Sequence, residues 1–588
     1  MNLTTARHEG RGFYLMVAAL VLMVVLSPGR ARAADLNVDG GTTAIIFGNI
    51  NFDNENVGIV TTGTIDQTGG TAFTNTVNDV LTLGVDTGSS GTYNLSIGTL
   101  TTGAPQELIG SSGSGTFNQT GGTHTVTDVL IIGTQNTSSG TYNLSGGSLS
   151  VATDETIGNG GSGVFSQSGG THTVTDDLTL GNLSGATGTY TLSLTGSLSA
   201  GSEFVGQSGS GTFTQSGGTN SVSDTLALGY GSGSSGTYNL MGGSLSVTSF
   251  EDIGYSGSGT FTQSGGTNTV GGDLTLGGSL GASGTYNLTN GSLSVTGQEK
   301  IADSGSGAFT QSGGTNAITQ NLYVGVGAGS GTYNLSGGSL AATNEIVGNF
   351  GSGAFTQSGG TNTVATSLIL AGYAGGSGTY NLSSGSLSVA AGEFIGFGGT
   401  GAFTQTGGTN TVTGDLTLGD SSGASGTYTL SSTGSLSVSG NEYIGGGSAS
   451  IGSGAFTQNG GTNSVAINLI VGNNGNGAYT LNAGSLSASS ETIGANAVGD
   501  FTQNGGTNTV AINLDLGNPG IGFYTLNGGS LSAINEIIGD SGSGTFIQNG
   551  GTNTVTSNLT LGATGTGEYT LNGGSLTALN EVIGVMGI

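Results

Sequence analysis

Two short motifs alternate along almost the whole chain, and a repeat of this kind leaves few folds open. Phe recurs within F-x-Q-x-G-G at Phe117, Phe165, Phe213, Phe261, Phe309, Phe355, Phe403, Phe456, Phe501 and Phe546, mostly 45 to 48 residues apart. Between these, Tyr recurs within G-x-Y-x-L at Tyr93, Tyr142, Tyr190, Tyr238, Tyr286, Tyr333, Tyr380, Tyr428, Tyr479, Tyr524 and Tyr569. Ile65 takes the Phe place in a first, degenerate copy. The two motifs are versions of one unit. GTFTQSGGTNTVGGDLTLG (259–277) and GTYNLSGGSLAATNEIVG (331–348) each hold an aromatic, a Gly pair, a short apolar pair and a closing Gly. The underlying period is therefore about 23 residues, repeated about 22 times.

A unit this short cannot bury its own apolar side; stacking on copies above and below can. The 124 glycines among 588 residues, with Thr, Val, Ile and Leu alternating between them, oppose a helical repeat and fit short strands joined by tight turns. The expected fold is all-β: a single-stranded parallel β-helix, or solenoid, of about 22 coils. Period-two alternation predicts three strands per coil and names the inward pairs. In a Phe coil these are Phe261/Gln263, Asn268/Val270 and Leu274/Leu276; in a Tyr coil, Tyr380/Leu382, Leu387/Val389 and Glu393/Ile395. The aromatics are expected to stack into a ladder, as in Phe117, Tyr142, Phe165, Tyr190, Phe213, Tyr238, Phe261 and Tyr286.

Aligning the two coil types places Gln, Asn and Glu opposite Leu at fixed columns. The Glu column comprises Glu107, Glu155, Glu203, Glu251, Glu299, Glu345, Glu393, Glu442, Glu491, Glu536 and Glu581. Two readings stand open. Either the column faces inward, its carboxyls held by Gln and Asn amides, Tyr hydroxyls or turn N–H groups and carrying raised pKa values, or it sits at a corner in water. The outward positions of the middle strand are hydroxyls: Thr267/Thr269, Thr361/Thr363, Thr409/Thr411, Thr507/Thr509 and Thr552/Thr554 in Phe coils, Ser148/Ser150, Ser244/Ser246 and Ser292/Ser294 in Tyr coils. Such strips resemble the T-x-T arrays of ice-binding solenoids, although Ser and Thr also simply suit an exposed strand face.

The first 33 residues read as a signal peptide: basic Arg7 and Arg11, an apolar run from Leu15 to Leu26, and Ala31-Arg32-Ala33 before a cleavage between Ala33 and Ala34. Twelve apolar residues are too few to span a bilayer, which needs about twenty. Cleavage removes four of five bases and one of 33 acids, which leaves Lys300 against 32 acids, a net charge of −31. That balance opposes nucleic acid and anionic lipid as partners. With no Cys in the chain, disulfides, thiolate metal sites and Cys nucleophiles drop out.

Reactive side chains are repeated in register or solitary. The cleaved chain holds no Arg and only two His, and His124 and His172 occupy the Asn position of their coils. No nucleophile–base constellation is legible, and the abundance of Gly makes any G-x-G-x-x-G match uninformative. The acids do not follow the G-G-x-G-x-D spacing of calcium-binding solenoids. No catalytic, cofactor-binding or metal-binding residues are expected, and the chain is read as a non-enzyme. The alternatives are a carbohydrate-active β-helix enzyme, which needs clustered carboxylates where a loop breaks the period, and an ice-binding solenoid. The longest interruption, between Tyr428 and Phe456, adds only Glu442, already in the repeat column.

F-[TNS]-Q-[ST]-G-G-T paired with G-T-Y-[NT]-L-x-x-G-S-L-S resembles the repeats of autotransporter (type V secretion) passengers and of PEP-CTERM-associated surface proteins of Gram-negative bacteria. The resemblance runs from about Ile65 to Gly584. It implies a right-handed, pectin-lyase-like β-helix displayed at or released from the cell surface, in adhesion or biofilm settings, with glycans or other cells as partners and a membrane reached only through an anchor. The expected organisation is a signal peptide over 1–33, an N-terminal cap region over 34–60 and β-helix repeats over 61–588. No C-terminal barrel or Pro-Glu-Pro sorting motif follows the last coil, so the chain is expected to be a fragment of a longer protein.

Overall fold

The computed structural model describes residues 21–24, 35–46, 48–68, 70, 73–447 and 451–584. Among them every regular element is a strand. The chain divides into two compact units, Met1–Ser294 and Val295–Ile588, both built from the same coil. The fold is a parallel β-solenoid of about 24 turns, about 23 residues apart, as the repeat requires.

One coil of the first unit shows how sequence becomes structure. Its strands are Ser258–Gln263, Thr267–Val270 and Leu274–Leu276. Each pairs in parallel with the equivalent strand of the previous coil, so Asn268 lies beside Leu245 and Leu274 beside Glu251. In the second unit, Ser377–Leu382, Ser386–Val389 and Gly392–Ile395 repeat the arrangement. Burial alternates along each strand as period two demands, and all six inward pairs named above are buried. The solenoid also includes residues expected to form a cap: Leu36–Val38, Thr42–Ile46, Ile50–Phe52 and Glu55–Val57 all pair in parallel with the following coil. The predicted cleavage residues Ala33 and Ala34, like Arg7 and Arg11, lie outside the described residues. Of the apolar run before them only Val21–Val24 is described, as a strand parallel to Thr43–Ile46.

Two glycines close the corner between one coil and the next. The Gly after the third strand turns the chain with positive φ, +73° at Gly396, where a Cβ would also stand 2.2 Å from the Ser425 carbonyl oxygen. The Gly that opens the first strand has ordinary φ but no room: a Cβ at Gly401 would stand 2.1 Å from the Gly396 nitrogen.

Inside, aromatic rings stack coil upon coil. Centroids lie 4.7 Å apart for Phe117–Tyr142 and 4.8 Å for Tyr142–Phe165 and Tyr190–Phe213. These distances match the inter-strand spacing, so the backbone ladder sets the ring ladder. Planes stay within 10° of parallel along it, and each offset-stacked contact adds about 0.5–1.5 kcal/mol beyond burial.

Candidate functional site

The polar columns face inward. Glu251, Glu299, Glu345, Glu393 and Glu442 have no solvent exposure, and neither do Gln263 and Gln311; Asn268 is equally enclosed. Of the two readings of the Glu column, the buried one holds, except at Glu581 in the last described coil, which is exposed.

Each Phe coil, with the Tyr coils on either side, builds one cell of four side chains. Asn268 donates from Nδ2 to Glu251 Oε2 at 2.9 Å and to the Tyr286 hydroxyl at 3.3 Å. The Tyr286 hydroxyl donates to Gln263 Oε1 at 2.6 Å. Gln263 Nε2 donates onward to the carbonyls of Ser292, 2.9 Å, and Gly266, 3.3 Å. The second unit repeats the cell: Asn410 Nδ2 reaches Glu393 Oε2 at 3.0 Å and Tyr428 at 3.3 Å, and Tyr428 donates to Gln405 at 2.6 Å. The alternation of coil types is thus a chemical requirement. A Tyr coil supplies Glu on one side and Tyr on the other, and only a Phe coil between them supplies the Asn and Gln that pair with both.

The cell has one shortfall. Glu251 Oε1 and Asn268 Oδ1 are buried without a hydrogen-bond partner, and so are the same two atoms at Glu393 and Asn410. An ionised carboxylate would leave two idle acceptors in a dry core; a protonated one supplies a donor to the cell. Burial pushes the Glu pKa up in agreement, to about 8 at Glu203, Glu251 and Glu442 and to about 7 at Glu345, Glu393, Glu491 and Glu536, while the Asn hydrogen bond pulls the other way. Burial and the neighbouring Glu also hold the Tyr238 and Tyr380 hydroxyls well above their usual range, so they stay protonated donors.

His124 and His172 stand in the Asn column, as their motif positions indicate. His124 stacks on Phe117, its Nδ1 is 3.0 Å from the Tyr142 hydroxyl and its Nε2 is 3.0 Å from Glu107 Oε2. His172 makes the same contacts, with Nε2 2.6 Å from Glu155 Oε2. Each imidazole fills the place of an amide and brings a basic nitrogen against the buried carboxyl.

One cell lies in the degenerate first copy. Asn75 donates to Glu55 Oε1 at 2.9 Å and to Tyr93 at 3.0 Å, and Tyr93 donates to Gln67 at 2.6 Å. Glu55 is absent from the column as read from sequence, although Glu55-x-Val57-Gly58 carries the E-x-I-G spacing of the later copies.

Outside, the predicted hydroxyl strip is in place: Thr267 and Thr269 are exposed, as are Thr409 and Thr411, and the flanking inward residues are buried. The separate middle strands from Thr74–Val77 to Ser575–Ile583 begin on Ser or Thr, and Thr462 and Ser485 hold the same register inside the long strands Ser453–Val471 and Gly477–Ile493. Among the described residues no group of three or more His, Asp or Glu is placed to hold a metal ion. Comparison with known protein families, with curated proteins and with solved structures finds no match to the chain.

Proposed function

We propose that this chain is the exported passenger of a surface-displayed or secreted β-solenoid. It acts without catalysis, as an adhesin or rigid spacer. The observation that carries the reading is the repetition of one outward face. From Thr74 onward, coil after coil presents Ser or Thr at the same two positions of the middle strand, at inter-strand spacing, with Ala317 and Ala341 as the exceptions. A contact too weak to matter once gains avidity when displayed many times in register. The motif resemblance to autotransporter and PEP-CTERM-associated repeats supports export and surface display. The strongly acidic balance supports uncharged partners, glycans or cell surfaces, over nucleic acid.

The test is adhesion of the purified chain to bacterial cells and glycan-coated surfaces, compared with variants from which Phe/Tyr coil pairs have been removed. Avidity predicts retention that falls more steeply than coil number. Retention proportional to length would point to independent weak contacts, and retention on no surface would leave the spacer role alone.

A further inference from the structure

The third strands of the second unit carry a feature outside the repeat. Their outward column runs Tyr323, Ile346, Ile369 and Phe394 on consecutive coils, in direct register. The rings lie along the sheet rather than standing off it. Asn321 Nδ2 donates to the Tyr323 hydroxyl at 3.0 Å, two residues back along the same strand. Phe394 folds back over Gly392, where a Cβ would stand 2.8 Å from its Cε2. Three coils separate Tyr323 from Phe394, about 14 Å. At the turn beside this column Phe350 and Tyr373 stack at 4.3 Å with planes 1° apart, and both are more than half exposed, 55% and 53%. Next to the rings runs an amide row, in which Asn344 donates to Asn321 at 2.9 Å.

Rings held flat and stacked rings in water are a costly use of a surface whose repeated outward positions carry mostly Ser, Thr and Gly. The outward positions of these four strands, Asn321/Tyr323, Asn344/Ile346, Ser367/Ile369 and Gly392/Phe394, include no charged side chain, in a chain with 33 acids. Apolar ring faces beside neutral amides suit a ligand with C–H faces and hydroxyl edges; the one cation alongside, Lys300 in register with Tyr323 on the preceding coil, is a single charge in an acidic chain and too little to hold a polyanion.

We propose that this face binds an extended, uncharged glycan chain lying along the coil axis. The glycan stacks on the Phe350–Tyr373 pair and on Tyr323 and Phe394, with its hydroxyls on the Asn321–Asn344 row. The proposal rests on the adhesin reading and names its site and ligand class.

The experiment measures retention of the full chain on an array of uncharged oligosaccharides, with polygalacturonate as the polyanion. Variants are Phe350→Ala/Tyr373→Ala and, as a control, Tyr230→Ala/Tyr255→Ala, an exposed stacked pair of the first unit with no such amide row. All four side chains are exposed or at turns, so folding is preserved; circular dichroism verifies it. Base–aromatic stacking sets the scale for loss of a stacked ring, about tenfold or more in affinity. That loss for the Phe350/Tyr373 variant, with the control unchanged and no polygalacturonate binding, is the expected result. Undiminished glycan binding by that variant, or equal loss in the control, overturns the site while leaving the adhesin reading intact. Binding to no uncharged glycan overturns the proposal, with cell adhesion still measured separately. If the variant instead changes only the sedimentation of the chain, the face joins copies of the protein and the glycan proposal falls.

Discussion

At the scale of the residue, the buried Glu is the most consequential side chain in the repeat. Its folded pKa stands at about 7 for Glu393 against an ordinary 4.5, so folding takes up a proton at any pH between these values. Native protein then binds more protons than unfolded, and stability falls as pH rises through that window. Below pH 4.5 both states are protonated and the effect vanishes; above about 7 the full cost is in place. Each such Glu contributes a slope of about 1.4 kcal/mol per pH unit. Glu393→Gln keeps an acceptor for Asn410 and has nothing to titrate. Hydrogen exchange of the amides around Gly392–Ile395 is expected to slow in this variant relative to wild type at pH 8 and to match it at pH 4. Glu393→Ala removes both the acceptor and the packing and is expected to cost about 2–4 kcal/mol at pH 4, and less at pH 8, where the wild type already carries the cost of the buried charge. A stability that rises from pH 5 to 8 in the wild type would contradict the protonated cell.

At the scale of the element, the coil tolerates different things at its two corner glycines. The closing position already carries Ala in two coils: Ala302 and Ala371 stand there with φ of 64° and 59°. The left-handed conformation costs a non-Gly residue about 1–2 kcal/mol, and a Cβ at Gly396 would also stand 2.2 Å from the Ser425 carbonyl oxygen, yet the turn takes an Ala at 302 and 371. The strand-opening position, where a Cβ also runs into backbone, is Gly in every coil from Gly63 to Gly567. Gly401→Ala is therefore expected to destabilise its coil by more than Gly396→Ala, on the order of 3 kcal/mol against 2. Limited proteolysis and the thermal midpoint of each variant check the order, and equal effects would mean that the corner shifts freely. The same contrast shows what was legible in advance. Strand count, inward pairs and ring ladder follow from period-two alternation between glycines, which every copy repeats. Whether Glu393 faces core or water does not follow, because the residue lies next to the corner where its strand Gly392–Ile395 begins, and pattern alone does not say on which side its carboxyl finds donors. The Tyr323–Phe394 column was missed for the opposite reason: it occupies outward positions where copies differ, so no repeat points to it. Glu55 was missed because its coil has Ile65, not Phe, after it.

At the scale of the whole molecule, a solenoid is quasi-one-dimensional, and its stability is a sum of coil and neighbour terms. Here the neighbour term depends on coil type. Deleting residues 352–399 removes one Phe coil and one Tyr coil, and the Tyr333 coil then meets the Phe403 coil with its cells intact. Deleting residues 352–376 removes the Phe coil alone and sets the Tyr333 coil on the Tyr380 coil. That junction lacks Asn362 and Gln357, the partners of Glu345 and Tyr380. It also brings Glu345 and Glu393 to adjacent strands, about 5 Å apart, where two buried carboxyls cannot both ionise; Glu393 keeps Asn410, but Glu345 has lost its amide. The longer deletion is therefore expected to be the milder one. Its thermal midpoint should stay within a few degrees of wild type, since the lost coils were stabilised only by neighbours of the same kind. The shorter deletion should lower the midpoint, increasingly so at alkaline pH, and open a protease-sensitive site at the new junction. If both deletions behave alike, the coils are interchangeable and the four-residue cell does not set their order. If only the single-coil deletion fails, the cell is what allows this repeat to grow in pairs, so that any length of displayed face is reached by adding two coils at a time.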